Sequence, residues 1–162
     1  MKKYKWIIIL INLLIFLALF NNSIFKKEEL LTKGKLILLE LAPVDPRSLM
    51  QGDYMTLNYA ISQNINHDSI SKRGFCVVKI EKDGIAKKVR LQEGRSPINK
   101  NEHLIEYTSL NWGGINIGAE SFFFQEGEAK KYEKAKYGGL RIDEIGNSIL
   151  VGLFDENKKK IE

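Results

Sequence analysis

Between Trp6 and Phe25 the chain carries no charged side chain, and from Ile7 to Phe20 it is apolar on every side except at Asn12. A helix of that length spans about 30 Å at about 1.5 Å per residue, the thickness of a bilayer's hydrocarbon core. A surface helix of a water-soluble domain would show a polar face, and this one has none. Trp6 stands at one end, where an interfacial aromatic is favoured. Asn12 is either tolerated in lipid or pairs with another helix. The segment therefore predicts a single membrane anchor. A cleaved secretory signal is the main alternative: Ala18-Leu19-Phe20 offers a small residue at a cut, but no A-x-A-like site follows. A buried helix of a soluble domain is the remaining one.

Charge follows from this division. The chain holds 25 basic and 20 acidic side chains. Lys2, Lys3 and Lys5 precede the apolar segment with no acid among them, so the remainder is nearly neutral, with 22 basic against 20 acidic. The high pI is largely a membrane-flank effect and does not point to nucleic acid. Lysines on both sides of the segment nearly balance the positive-inside count. The orientation expected is the common one for a signal anchor, with the short tip inside and the domain outside.

The expected organisation is a tip and transmembrane anchor over 1–25, a charged stretch over 26–34 that extends the helix or links it, a β domain over 35–155, and a charged, frayed tail over 156–162. Lys35 to Leu41 reads as a first strand. Asp53 to Ile61 reads as another, with Met55, Leu57, Tyr59 and Ile61 on one face by period-two alternation. Phe75 to Lys82 and Ile85 to Leu91 form a hairpin whose Asp83-Gly84 suits a type I′ turn. His103 to Leu110 and Ile117 to Gln125 are strand-like. Gly127 to Tyr137, rich in Ala, Lys and Glu, is the one helical stretch, with Gly138-Gly139 as its stop. Leu140 to Asp143 and Asn147 to Phe154 close the series. The fold class predicted is mainly β: the transmembrane helix plus an antiparallel β sandwich or partly closed barrel of about eight strands with one short helix.

The stretch from Asp45 to Tyr59 holds Pro46, Arg47, Leu49, Gly52, Asp53, Tyr54 and Leu57 and resembles the signature of the GDYXXLXY family of membrane-anchored bacterial proteins. Gly52, Asp53, Tyr54, Leu57 and Tyr59 meet every fixed letter of that name. The aromatic run Phe122-Phe123-Phe124 before Glu126-Gly127, the basic helix and the glycine-punctuated last hairpin are also similar to the family. The resemblance implies an inner-membrane location, a single anchor and a multi-spanning membrane protein as partner. It implies no activity, catalytic residue or cofactor. Read physically, Asp45, Pro46 and Gly52 shape a turn, and Leu57 and Tyr59 belong to a core face. Arg47 and Asp53 are placed to pair across the turn, and Arg47, Asp53 and Tyr54 to form a recognition patch instead.

Other chemistries lack their parts. His67 and His103 belong to no HExxH or CxxC pattern, so no metal site is expected. No Walker loop, dinucleotide fingerprint or G-x-S-x-G elbow occurs. Cys76, alone in an apolar run, reads as a buried structural thiol. Ser48 and Lys79 superficially resemble the serine–lysine dyad of signal-peptidase-like proteases, which leaves a membrane-anchored hydrolase as the alternative to a binding or accessory module. The lysines of the short helix read as a solvated face, with contact to anionic lipid headgroups as the other reading. Phe122 and Phe124 should point one way into the core and Phe123 the other, where it packs or meets a partner.

Overall fold

In the computed structural model the described residues are 2–42, 54–63, 65, 70–110 and 113–162. Helix α1 covers Lys2–Lys33 and is long and apolar enough to cross a membrane. Among the described residues nine strands follow: β1 Lys35–Glu40, β2 Tyr54–Thr56, β3 Arg73–Ile80, β4 Ala86–Gln92, β5 Glu102–Ser109, β6 Ile115–Asn116, β7 Ser121–Phe123, β8 Tyr137–Ile142 and β9 Ser148–Phe154. A 3₁₀ turn occupies Ala60–Ser62, and a short helix α2 occupies Ala129–Tyr132. Among the described residues these strands form three antiparallel sheets ordered β1-β8-β9, β2-β7 and β4-β3-β5-β6, and they close no barrel.

The two larger sheets share one core. Ile37, Leu39, Leu140, Ile142 and Leu153 meet Cys76, Val78, Ile105, Tyr107 and Ile115 there. Among the described residues no polar or charged residue is buried in that core. The sheets meet along their margins through single backbone bonds. The Leu38 N–H donates to the Gly84 carbonyl (3.1 Å), and the Glu106 N–H to the Gly146 carbonyl (2.8 Å).

The charged stretch after the apolar segment continues α1 to Lys33, with no intervening coil. Leu30 is buried, whereas the residues around it are exposed. Burying a leucine stabilises by about 2 kcal/mol. The Gly34 N–H donates to the Leu30 carbonyl (3.0 Å), and Arg141 donates through a guanidinium nitrogen to the Gly34 carbonyl (2.6 Å). A Cβ at Gly34 would overlap the Leu30 carbonyl and crowd Arg141. Helix and first strand are thus joined by one residue that has no room for a side chain.

Several local expectations change. The β3–β4 turn is not type I′, because Gly84 has positive φ (87°) and Asp83 does not. The Gly84 N–H donates to the Glu81 carbonyl and the Glu81 N–H to the Ile85 carbonyl (3.0 and 2.8 Å). That is a type I turn followed by a left-handed glycine. The run 117–125 is not one strand: β6 ends at Asn116, Gly118 takes positive φ, and β7 joins a different sheet. The helical stretch shrinks to α2, because the Lys136 N–H is drawn to the Phe154 carbonyl (2.8 Å) and β8 begins one residue later. Gly138 and Gly139 lie inside β8 and stop no helix. A Cβ at Gly138 would come within 2.8 Å of the Tyr59 ring, and one at Gly139 would overlap the Phe154 ring.

The tail expected to fray folds back instead. The Ile161 N–H bonds the Leu153 carbonyl (2.9 Å), Ile161 is buried, and the Lys158 ammonium pairs with Asp83 (2.8 Å). Between β4 and β5, Arg90 donates to both Glu102 oxygens (2.8 and 2.9 Å) and to the Pro97 carbonyl (2.7 Å). Glu102 also accepts from the Asn99 backbone and side chain.

Two measurements follow from these contacts. Gly139→Ala should destabilise the detergent-solubilised protein by about 1–3 kcal/mol in urea unfolding, because the Phe154 ring must be displaced. The Arg90 bonds, aided by Asn99, hold the Glu102 carboxyl at about 2, below the usual value of about 4.3. A carboxyl lowered on folding contributes stability that is full above the unfolded value and is lost as pH falls through the folded one. Stability should therefore decline between about pH 4.3 and 2, and Glu102→Gln should flatten that part of the profile.

Candidate functional site

The second half of the signature leaves β2 and enters the core. Tyr54 and Met55 are half-buried and Thr56 is exposed, then Leu57, Tyr59 and Ile61 are buried and Asn58 and Ala60 exposed. The alternation read from the sequence holds, although only Tyr54–Thr56 pair as strand. Beyond Thr56 the backbone bonds change partners. The Leu57 N–H goes to the Glu120 carbonyl, the Ala42 N–H comes to the Asn58 carbonyl (both 2.7 Å), and the chain turns through Ala60–Ser62. Tyr59 donates its hydroxyl to the Ala119 carbonyl (2.7 Å). Burial, with Glu120 nearby, pushes its pKa well above the ordinary tyrosine range.

Around this turn lies a cleft of about 390 Å³, lined by Asn58, Ser62 and Gln63 on one wall and by Leu110, Gly113, Gly114 and Glu120 on the other. Gly114 has positive φ (116°), and a Cβ there would meet the Ser62 carbonyl at 2.7 Å, so glycine lets the walls approach. The Ser62 hydroxyl is buried without a hydrogen-bond partner. Glu120 is held from behind by the Ile117 N–H. The cleft offers amides, a hydroxyl and a carboxylate over an apolar floor.

On the neighbouring ribbon, Tyr54 and Phe123 face each other across β2 and β7 with ring centroids 5.8 Å apart. Phe122 and Phe124 turn the other way and pack on Tyr132. Phe123 is 74% exposed, the outward placement that alternation allowed. Val89, Ile98 and Ile145 are exposed elsewhere on the domain and do not form this kind of aromatic pair.

Other candidates are separated. Asp45, Pro46, Arg47, Leu49, Gly52 and Asp53 lie outside the described residues, as do Ser48 and His67. The turn, the Arg47–Asp53 pair and the patch expected there lie outside with them. Lys79 is exposed on β3, so the apolar surroundings that a lysine base needs are missing. Cys76 is fully buried, and burial pushes its thiol up to about 12. His103 contacts the Lys35 ammonium (3.0 Å); partial burial first, and that charge second, lower its pKa. Among the described residues no group of three or more His, Cys, Asp or Glu could hold a metal. Lys131 of α2 pairs with Glu128, the residue before that helix (2.9 Å). Sequence reading missed the cleft, because its walls come from segments far apart in the chain; the Gly113-Gly114 pair was its only local signal.

Two substitutions separate the roles of the turn. Tyr59→Phe leaves the Ala119 carbonyl without its buried donor and should destabilise by about 1–2 kcal/mol. Ser62→Ala removes a hydroxyl that has no partner and should be neutral or slightly stabilising. Urea unfolding of the solubilised full chain reads both.

No curated protein and no solved structure matches the chain. The model of the GDYXXLXY protein family matches residues 16–153, from within α1 to β9. The second half of the anchor helix, the signature entering the core and the final hairpin up to Leu153 fall within that span, and the chain belongs to the GDYXXLXY family.

Proposed function

We propose that this protein is a signal-anchored module of the bacterial inner membrane whose β domain, held outside the cytoplasm, binds and supports a multi-spanning membrane protein. The observation that carries this reading is the unbroken passage of α1 into β1. From Phe25 to Gly34 the helix rises only about 13 Å. The domain therefore stands next to the headgroup layer, with Leu30 and Arg141 limiting its swing. A domain meant to reach a distant ligand would gain from a flexible linker; one that works on something in the same membrane gains from being held. Exposed Phe123, with half-buried Tyr54 beside it, is the surface best suited to contact, since aromatic anchors dominate many interfaces. The lysines on and after α2 suit solvent at this level.

Cross-linking in native membranes, followed by capture of the tagged protein, tests the reading. A specific multi-spanning partner is expected, with recovery reduced several-fold by Phe123→Ser and by a short Gly-Ser insertion after Lys33, both in protein that still folds. Protease added to intact spheroplasts should digest the domain. Absence of a specific partner, or a partner retained by both variants, would count against the proposal, and protection from protease would reverse the orientation.

A further inference from the structure

The anchor is not uniform around its circumference. Three asparagines and a serine interrupt its apolar surface: Asn12, Asn21, Asn22 and Ser23. Asn21 is already satisfied, because its amide donates to the Leu17 carbonyl (2.8 Å). Among the described residues the side chains of Asn12, Asn22 and Ser23 have no hydrogen-bond partner. At about 100° per residue, Leu19 and Ser23 lie within about 20° of Asn12, and Ile8 and Phe16 within about 40°. Asn12 and Ser23 thus share one face, Asn22 lies about 80° to its side, and the satisfied Asn21 stands opposite. Asn12 is also the deepest, about 5 Å from the middle of the Trp6–Phe25 segment, where no water can serve it.

Leu30 lies on that same face. From Asn12 to Leu30 the helix makes about five turns, and α1 shows no break between them. Among the described residues of α1, Leu30 is the one that is buried, and β8 and β9 both touch this helix. Because α1 touches β8 and β9 and its buried side chain, Leu30, lies on the Asn12 face, the domain stands over that face. This decides between occupants. A second, parallel copy would bring its own α1 up to Lys33, into the space taken by the first copy's β8 and β9. A helix that ends at the membrane surface leaves that space to the domain.

We infer that the Asn12–Leu19–Ser23 face of α1 is the intramembrane docking surface for a helix of a different membrane protein, one that ends near the bilayer surface and offers a polar group at the depth of Asn12. The inference rests on the proposed function and adds the place of contact. An amide is donor and acceptor at once, so an amide, hydroxyl or imidazole on the partner would satisfy it. Leu19 and Ile8 supply packing on either side of that bond, and the domain above caps the partner's end.

The test places a photo-cross-linking amino acid at Leu19, on the docking face, or at Leu14, on the opposite one, in the full-length protein in native membranes. A third site at Phe123 reports on the domain. The expected result is an adduct from Leu19 to a different integral membrane protein and none from Leu14. Asn12→Leu should lower the yield by about threefold or more, Asn12→Gln should restore it, and Asn21→Leu should leave it unchanged. An adduct between two differently tagged copies of this chain, or equal adducts from both faces, would overturn the inference. A partner captured from Phe123 with only lipid adducts at Leu19 would overturn it while leaving the proposed function standing. No protein adduct from any site would remove both.

Discussion

The structure depends on how a helix satisfied by lipid becomes a sheet satisfied by protein. In a bilayer the backbone of a helix such as α1 must bond to itself, so it does not unravel before it reaches water. Here it continues for two more turns and gives way to β1 at a single residue. Gly34 closes the last helical turn onto Leu30 while offering its own carbonyl to Arg141 of β8. The first strand is therefore aimed by the membrane helix; β8 pairs with it in register, and β9 pairs with β8 across a bulge at Gly139 and Leu140. A flexible stem would leave the same sheet intact but free to turn.

The second organising contact lies across the domain. Tyr59, from the signature, lies against Gly138, and Phe154, from the last strand, lies against Gly139. Both rings fill space that a side chain on β8 would otherwise occupy, and close packing makes such slots hard to refill. The two stretches that carry the family resemblance, distant in sequence, meet at these glycines. Much of the signature's C-terminal half is thus explained by packing: Leu57 and Tyr59 fill the core. What faces outward is narrower, namely the Tyr54–Phe123 pair and the cleft whose Ser62 hydroxyl has no partner.

The apolar helix and the β domain are joined through Gly34 alone, with no linker between them. Asn12 and Ser23, which lack partners within α1, lie on the side of the helix where Leu30 is buried. A partner helix at that face would lie beneath β8 and β9, so contacts in lipid and contacts in water would reinforce one another. Two contacts made by one rigid body raise the effective concentration of each for the other.

Sequence alone determined the anchor, the mainly β class, the alternation of the signature and the pairing of the last hairpin. Each is written in local periodicity or turn chemistry: an apolar run as long as a bilayer is thick, period-two burial at Leu57, Tyr59 and Ile61, and glycines at turns. Tertiary structure decided the rest. Gly138-Gly139 looked like a helix stop, because glycine's local preference is for chain ends; only the approach of two rings makes it a strand interior. The run 117–125 looked continuous, because β propensity cannot see that Gly118 sends its two halves to different sheets. The charged tail looked frayed, because the burial of Ile161 depends on a neighbour, β9, that composition does not reveal. The cleft was invisible for the same reason: its two walls are brought together by the fold, and no spacing within either segment encodes the other.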